Sequence, residues 1–249
     1  MKNRTLVIGD IHGGYKALLQ VLERAGVSAG DQLIFLGDYV DGWSESPEVV
    51  DYLLQLQQRQ ACVFIGGNHE SLLLDWLRSG KAREPWLNNG GKASIASYSS
   101  LSAQKKQQHI AFFEQLRDFY IDDSNRLFIH AGFTNQKGVD YEFFPEYFRW
   151  DRTLWETALS VDPNLDSADL IYPKRLKIYD EIFIGHTPVT HVGSSVPMHS
   201  AGVWNVDTGA AFTGCISVMD VETKAFWQSD RLPELYPHEP GRNAVLLPE

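Results

Sequence analysis

The sequence predicts an α/β fold, and three observations carry that expectation. Short apolar runs rich in β-branched and aromatic residues alternate with stretches that repeat apolar residues at helical spacing. The first three runs end in glycine followed by a polar side chain, at Gly9-Asp10, Gly37-Asp38 and Gly67-Asn68. No internal repeat, low-complexity linker or composition shift divides the chain, so a single domain over residues 1–249 is expected, with a core of about 5–230 and a C-terminal extension at 231–249.

Residues 5–8 form the first strand; Leu18, Leu19 and Leu22 then mark a helix that Gly26 stops. A second strand over 32–36 leads through Gly37-Asp38-Tyr39-Val40-Asp41-Gly42-Trp43 to a helix, with Ser46 read as its N-cap and Pro47 as its first residue. Val63 to Ile65 read as a buried strand, and Gly66-Gly67 let the chain turn so that Asn68 and His69 stand where the next helix begins. In open α/β sheets, ligands bind beyond the carboxyl ends of the strands. Residues 79–108 are polar and predict helices and a loop over the site rather than more sheet. Strands follow near 119–122, 126–129, 181–184 and 203–206, and a closing hairpin pairs 214–220 with 225–229. The proline-rich tail is expected to be loosely attached.

A chain of 249 residues with 43% hydrophobic and 22% charged residues can bury a sizeable core. Its net charge of −10 argues against general affinity for nucleic acid or anionic membranes, while an anionic substrate remains compatible because a bound cation reverses the sign locally. Cys62 and Cys215 sit in apolar runs and read as core thiols of a reducing compartment, so a cytoplasmic location is expected. No stretch reaches the length of a membrane span.

Five strand ends present Asp10, Asp38, Asn68, His130 and His186, and Asp10 and His12, two apart, point the same way from an extended segment. Carboxylate, amide and imidazole donors without a thiolate suit Mn²⁺, Fe or Zn²⁺ at a catalytic site. Six donors exceed the needs of one tetrahedral ion; two ions about 3.5–4 Å apart that share a carboxylate would use them all.

Gly9-Asp10-Ile11-His12-Gly13, Gly37-Asp38-Tyr39-Val40-Asp41 and Gly67-Asn68-His69-Glu70 resemble the three signature motifs of the phosphoprotein phosphatase family of calcineurin-like metallophosphoesterases. His130-Ala131-Gly132 and Gly185-His186-Thr187 resemble its two later histidine motifs, in the family's order, over roughly residues 5–220. The resemblance implies a four-layer fold, with a central β-sandwich of two mixed sheets flanked by helices. It implies two divalent ions, Mn²⁺ first: Asp10 and His12 on one, Asp38 bridging, and Asn68, His130 and His186 on the other. His69 is then the general acid, oriented by Asp41. The implied activity is phosphomonoester hydrolysis by a bacterial-type serine/threonine phosphatase acting on phosphorylated protein or a small phosphoester. The alternative is hydrolysis of dinucleoside polyphosphates such as diadenosine tetraphosphate, since members with that activity share the five motifs. A metal-holding interaction module without turnover is a third reading, which the intact ligand set disfavours.

One departure stands out. Many relatives continue the second motif with Arg-Gly, where this chain has Gly42-Trp43, so one phosphate-binding guanidinium is missing. Trp150-Asp151-Arg152 resembles the Trp-x-Arg of bacterial-type members and makes Arg152 the expected phosphate clamp through bidentate contacts. Asn89 lies in a segment that resembles their Asn-Gly-Gly loop and is a second substrate contact, with Lys92 a weaker substitute for the lost arginine. Glu70 and Asp75 read as structural, Asp207 as a support beside the metal histidines, and His109, His191, His199 and His238 as solvated or turn residues.

Overall fold

A computed structural model describes residues 3–243. In chain order its elements are β1 (Thr5–Ile8), α1 (Tyr15–Arg24), β2 (Gln32–Phe35), α2 (Ser46–Leu56), β3 (Ala61–Phe64), α3 (Asn68–Ser79), α4 (Glu84–Trp86), α5 (Lys92–Ser99) and α6 (Ala103–Glu114). There follow β4 (Phe119–Ile121), β5 (Arg126–Ile129), α7 (Tyr147–Trp150), α8 (Thr153–Ser160), β6 (Glu181–Ile184), β7 (Met198–Ser200), β8 (Val203–Asn205), β9 (Ser217–Asp220), β10 (Phe226–Gln228) and α9 (Leu232–Leu235).

Two five-stranded mixed sheets form, with strand orders β10-β9-β1-β2-β3 and β4-β5-β6-β8-β7. Alternation along each strand decides what lies between them. Val7, Ile34, Val63 and Met219 of one sheet meet Phe128 and Phe183 of the other in an apolar middle layer. Phe128 stacks on Phe183 with centroids 4.9 Å apart, worth about 0.5–1.5 kcal/mol beyond area burial. The opposite faces carry helices: Leu6, Leu33 and Phe35 pack with Leu18, Val50, Leu53 and Leu73, while Leu127 and Ile182 pack with Leu154 and Trp155. The result is the expected four-layer α/β sandwich.

Parallel register then places the site. Ile8 pairs with Phe35 and Phe35 with Phe64, so the loops carrying Asp10, Asp38 and Asn68 leave one edge together. Phe128 pairs with Phe183 and Ile184 with Asn205, which brings the loops of His130, His186 and Asp207 to the second sheet's matching edge.

Two local expectations fail and one strand was not expected, each for a physical reason. Ser46 is not a cap: Glu45 takes that position, and the buried Ser46 hydroxyl accepts the Asp41 N–H at 3.1 Å. β7 lacks a clear apolar pattern because it is an edge strand with His199 exposed, held by antiparallel pairing to β8. The tail as far as Asn243 is docked rather than loose. Tyr236 is buried and stacks on Trp43 with centroids 5.3 Å apart; residues 244–249 lie outside the described ones. Cys62 and Cys215 are free and half-buried, and burial pushes the Cys62 thiol up to about 11. Among the described residues no helix is long and apolar enough to cross a membrane.

Candidate active site

Four of the residues at the joined sheet edges have backbones in the left-handed region: His12 at φ 53°, Asp38 at 52°, Asp41 at 73° and His186 at 66°. Such a conformation costs about 1–3 kcal/mol for a residue with a side chain and persists only where its surroundings enforce it. Here the enforcement is visible. The N–H groups of Ile11 and His12 both donate to the Asp38 carbonyl, at 3.0 and 2.8 Å, and Gly185 N–H donates to the His130 carbonyl at 2.8 Å. Glu70 clamps two loops, its carboxylate accepting from the N–H groups of Asp38, Tyr39 and Gly67 at 2.9, 2.7 and 2.8 Å, so its structural reading is what the geometry displays. Glycine is required where the loops touch the acids. A Cβ on Gly67 would lie 2.1 Å from Asp38 Oδ1, and one on Gly185 2.1 Å from Asp10 Oδ1.

All six expected ligands converge. Asp38 divides its oxygens, Oδ2 lying 3.6 Å from His12 Nε2 and Oδ1 3.4 Å from His130 Nε2. His12 Nε2 also lies 3.7 Å from Asp10 Oδ2, and His130 Nε2 lies 3.3 Å from Asn68 Oδ1. Donor atoms of Asp38, His130 and His186 fall within 4.8 Å of one another, as do those of His12, Asp38 and His69. His130 Nδ1 faces the Leu36 carbonyl at 2.8 Å, which fixes the proton there and leaves Nε2 as a donor atom for a cation.

The residues fit a pair of cations. His186 Nε2 is a buried polar atom without a hydrogen-bond partner among the described residues, a costly state that a cation there would relieve; His12 faces the carboxylates through Nε2, and its buried Nδ1 is also unpartnered. Burial holds both imidazoles well below their usual pKa, hence neutral and able to ligate. Burial also pushes Asp10 up to about 7 and, with Asp10 beside it, holds Asp207 well above the carboxylate range. Asp38 goes the other way: burial would raise it, and His130 and His69 outweigh that and hold it well below. His130 is pushed up to about 9 because Asp38, Asp10 and Glu70 outweigh burial, which marks the excess of negative charge that a cation would neutralise. The ions' identity is not fixed by this donor set.

His69 stands on the first turn of α3, its N–H donating to Asp38 Oδ1 at 3.1 Å and its Nε2 3.9 Å from Asp38 Oδ2. Its Nδ1 is 2.7 Å from Asp41 Oδ2. Burial opposes protonation of His69, but Asp38 and Asp41 outweigh it and raise the pKa, so the ring is disposed to carry a proton. Asp41 Oδ2 accepts a second hydrogen bond from Trp86 Nε1 at 2.6 Å. Trp86, part of the loop expected over the site, escaped assignment because its partner lies 45 positions away and no spacing rule connects them.

A cavity of about 450 Å³ opens over these groups. Asp38, Asn68, His69 and His186 form its floor, and Arg83, Trp86, Asn89, Trp150, Arg152 and Arg242 stand around it. Asp151 accepts the N–H groups of Thr153 and Leu154 at the start of α8, which leaves Arg152 at the rim with Nη1 on Thr187 Oγ1 at 2.9 Å. Asn89 lines the cavity but both its polar ends are engaged: Nδ2 donates to the Pro85 carbonyl at 2.7 Å, and Oδ1 accepts from Arg242 Nη2 at 3.3 Å. Lys92 is exposed and lines a neighbouring hollow instead. Asp207 is buried, with Oδ1 accepting the Gly209 N–H at 2.9 Å, and Asp75 pairs with Arg83 at 3.1 Å on the surface. His109 departs from the solvated reading: it is buried between Tyr98 Oη and Asp51 Oδ1, each at 2.9 Å. His191, His199 and His238 are exposed.

Comparison with known proteins adds three relatives. A bis(5'-nucleosyl)-tetraphosphatase PrpE [asymmetrical] of Geobacillus thermodenitrificans is 26% identical over 256 residues, covering 95% of this chain and 96% of that one. A serine/threonine-protein phosphatase PP2A-like PPG1 of Candida albicans is 43% identical over 67 residues, 26% of this chain and 16% of that one. The solved structure of a candidate diadenosine tetraphosphatase superposes with TM-score 0.62 at 18% identity, covering 97% of this chain and 95% of the other. A family model described as calcineurin-like phosphoesterase matches residues 3–210, which include every residue at the floor of the cavity. The chain therefore belongs to the calcineurin-like phosphoesterases, phosphoester hydrolases that depend on a pair of metal ions.

Proposed function

We propose that this protein hydrolyses dinucleoside polyphosphates asymmetrically, with diadenosine tetraphosphate as the representative substrate. The observation that carries the reading is the wall of the cavity. Three guanidiniums, of Arg83, Arg152 and Arg242, and two indoles, of Trp86 and Trp150, surround the metal ligands of a chain whose net charge is −10. One phosphate over two cations needs little further neutralisation; a bridge of four phosphates needs cations strung beyond the metals, and a base needs a flat apolar face. Trp150 offers such a face: it is 47% exposed and edge-on to His186 at 6.4 Å between centroids. The near full-length similarity to a protein named for this activity supports the same choice.

Asp10, His12, Asp38, Asn68, His130 and His186 would hold the two cations, which supply a nucleophile from water at neutral pH and draw charge from the phosphoryl oxygens. Arg152 orients the phosphate by paired N–H contacts. His69, protonated and held by Asp41, gives its proton to the departing oxygen, and Trp86 keeps the Asp41 carboxylate turned toward His69. Ser46 and Ser94 accept the Asp41 N–H at 3.1 Å each and hold that residue in its left-handed conformation.

The second reading is the serine/threonine phosphatase activity. It is supported by the 67-residue match to the PP2A-like protein and by exposed Tyr141, Phe143 and Phe144, a surface that a polypeptide could lie against. Turnover of diadenosine tetraphosphate, a phosphothreonine peptide and 4-nitrophenyl phosphate by Mn²⁺-loaded protein separates the two. Conversion of the dinucleotide to ATP and AMP at the highest kcat/KM supports the proposal, and a preference for the peptide refutes it. Trp150→Ala is expected to raise KM for the dinucleotide about 5–150-fold, from ~1–3 kcal/mol of base stacking, and to leave 4-nitrophenyl phosphate nearly unaffected.

A further inference from the structure

We propose that Arg242, delivered by the C-terminal tail, is the substrate-phosphate ligand that replaces the guanidinium absent from the second motif. This rests on the reading of the cleft as a phosphoester site. The tail folds back across the first sheet's helices to reach it: Arg242 N–H donates to the Ala211 carbonyl at 2.8 Å, and the guanidinium lies over the Phe212 ring, 5.2 Å from its centroid. From there the side chain enters the cavity floored by Asp38, Asn68, His69 and His186, and Nη2 rests on Asn89 Oδ1 at 3.3 Å. Its Nε is buried and has no hydrogen-bond partner among the described residues, so one donor of a cation beside the ligands is still to be satisfied.

The departure from the usual motif and the tail are two halves of one arrangement. The Arg242 stem lies against both loops: a Cβ built on Gly42 would touch Arg242 Cγ at 3.4 Å, an ordinary contact, and one on Gly90 would crowd it at 3.0 Å. Gly42 has φ 100°, a backbone that an arginine there would resist. The neighbouring residues hold the tail in place. Trp43 is buried, donates from Nε1 to the Ala210 carbonyl at 2.8 Å and stacks on Tyr236. Ser44 gives its N–H and hydroxyl to the Glu239 carboxylate at 2.9 and 2.7 Å. Gly42-Trp43-Ser44 thus gives up a local guanidinium and supplies the dock for a distant one. Asn89, expected to touch the substrate, positions Arg242 instead.

The test titrates inorganic phosphate into Mn²⁺-loaded full-length protein by calorimetry, for wild type, Arg242→Gln and Arg242→Lys, with bound manganese and melting temperature measured in parallel. Gln keeps most of the stem that packs over Gly42 and Phe212. We expect Arg242→Gln to weaken phosphate binding about 10–150-fold, the range for a lost hydrogen bond to a charged group, at unchanged manganese content, and Arg242→Lys to recover part of the loss. A phosphate affinity within twofold of wild type, a loss that tracks manganese content, or a Lys variant as weak as Gln would each overturn the assignment. If wild type binds phosphate in an Arg242-dependent way but does not turn over the dinucleotide, the dinucleotide reading fails and the assignment of Arg242 to the phosphate stands.

Discussion

Replacing Asp41 with Asn removes one charge from the site, keeps the side-chain shape and puts an amide NH2 where Oδ1 has no partner. Asp41 Oδ2 takes both hydrogen bonds, from His69 Nδ1 at 2.7 Å and Trp86 Nε1 at 2.6 Å, while Oδ1 is buried and has no partner. An asparagine that places its oxygen at the Oδ2 position keeps both contacts and puts its amide where Oδ1 was. A hydrogen bond to a charged acceptor exceeds a neutral one by about 1–2 kcal/mol, which corresponds to ~5–30-fold if it is lost in the transition state. The loss is expected to follow the leaving group. Phenyl phosphate, with a basic leaving oxygen, should lose roughly 5–30-fold in kcat/KM, and 4-nitrophenyl phosphate, whose leaving oxygen needs little help, less than about threefold. The assay is steady-state hydrolysis of both esters by wild type and variant at equal bound manganese. Equal losses on the two substrates would refute the reasoning, since Asp41 would then act on the fold or the metals and not through the proton on His69.

Asp38→Ala should reduce bound manganese, measured after gel filtration, from about two ions per chain to one or none, because its two oxygens face His12 and His130 separately; retention of both ions would exclude the bridging role. Far from the site, Asp31 accepts from Arg4 Nη2 at 2.7 Å and from Ser28 N–H at 2.9 Å, and the Arg4 guanidinium holds its carboxyl well below the usual range. The folded carboxyl thus binds its proton more weakly than the unfolded one. Its stabilisation is complete above the unfolded pKa and fades as pH falls from about 5 toward 2. Asp31→Asn should lower Tm at pH 7 by about 2–8 °C, from roughly 1–2 kcal/mol after allowing for the partly exposed Arg4, and the gap to wild type should close in acid.

Much of the fold was legible because each early strand is short, apolar and stopped by glycine. Ile8, Phe35 and Phe64 lie at paired positions, so the polar residues that follow them had to emerge together. That register brings Asp10, His12, Asp38 and Asn68 together, and the matching register of the second sheet adds His130 and His186. What stayed hidden depends on contacts between distant segments. Trp86 reaches Asp41 across the loop, His109 is drawn inside by Tyr98 and Asp51, and Ser46 is taken from the helix end by Asp41. The tail misled most, since prolines suggest a loose end while its anchors, Trp43 and Ser44, lie about 195 positions earlier. The sequence did show that a guanidinium was missing after Asp41. The polypeptide distance to Arg242 concealed where it had gone. Substrate choice was hardest to see, because the motifs describe the floor of the cavity and say nothing of Arg83, Trp86 and Arg242 around it.

The left-handed backbones at His12, Asp38, Asp41 and His186 carry a consequence for how this sequence can drift. Asparagine adopts that conformation readily, whereas valine, isoleucine and threonine resist it. A saturation library at these four codons should therefore split into two grades of failure: asparagine variants that accumulate as folded protein with lowered activity, and β-branched variants that are degraded before any chemistry can be assayed.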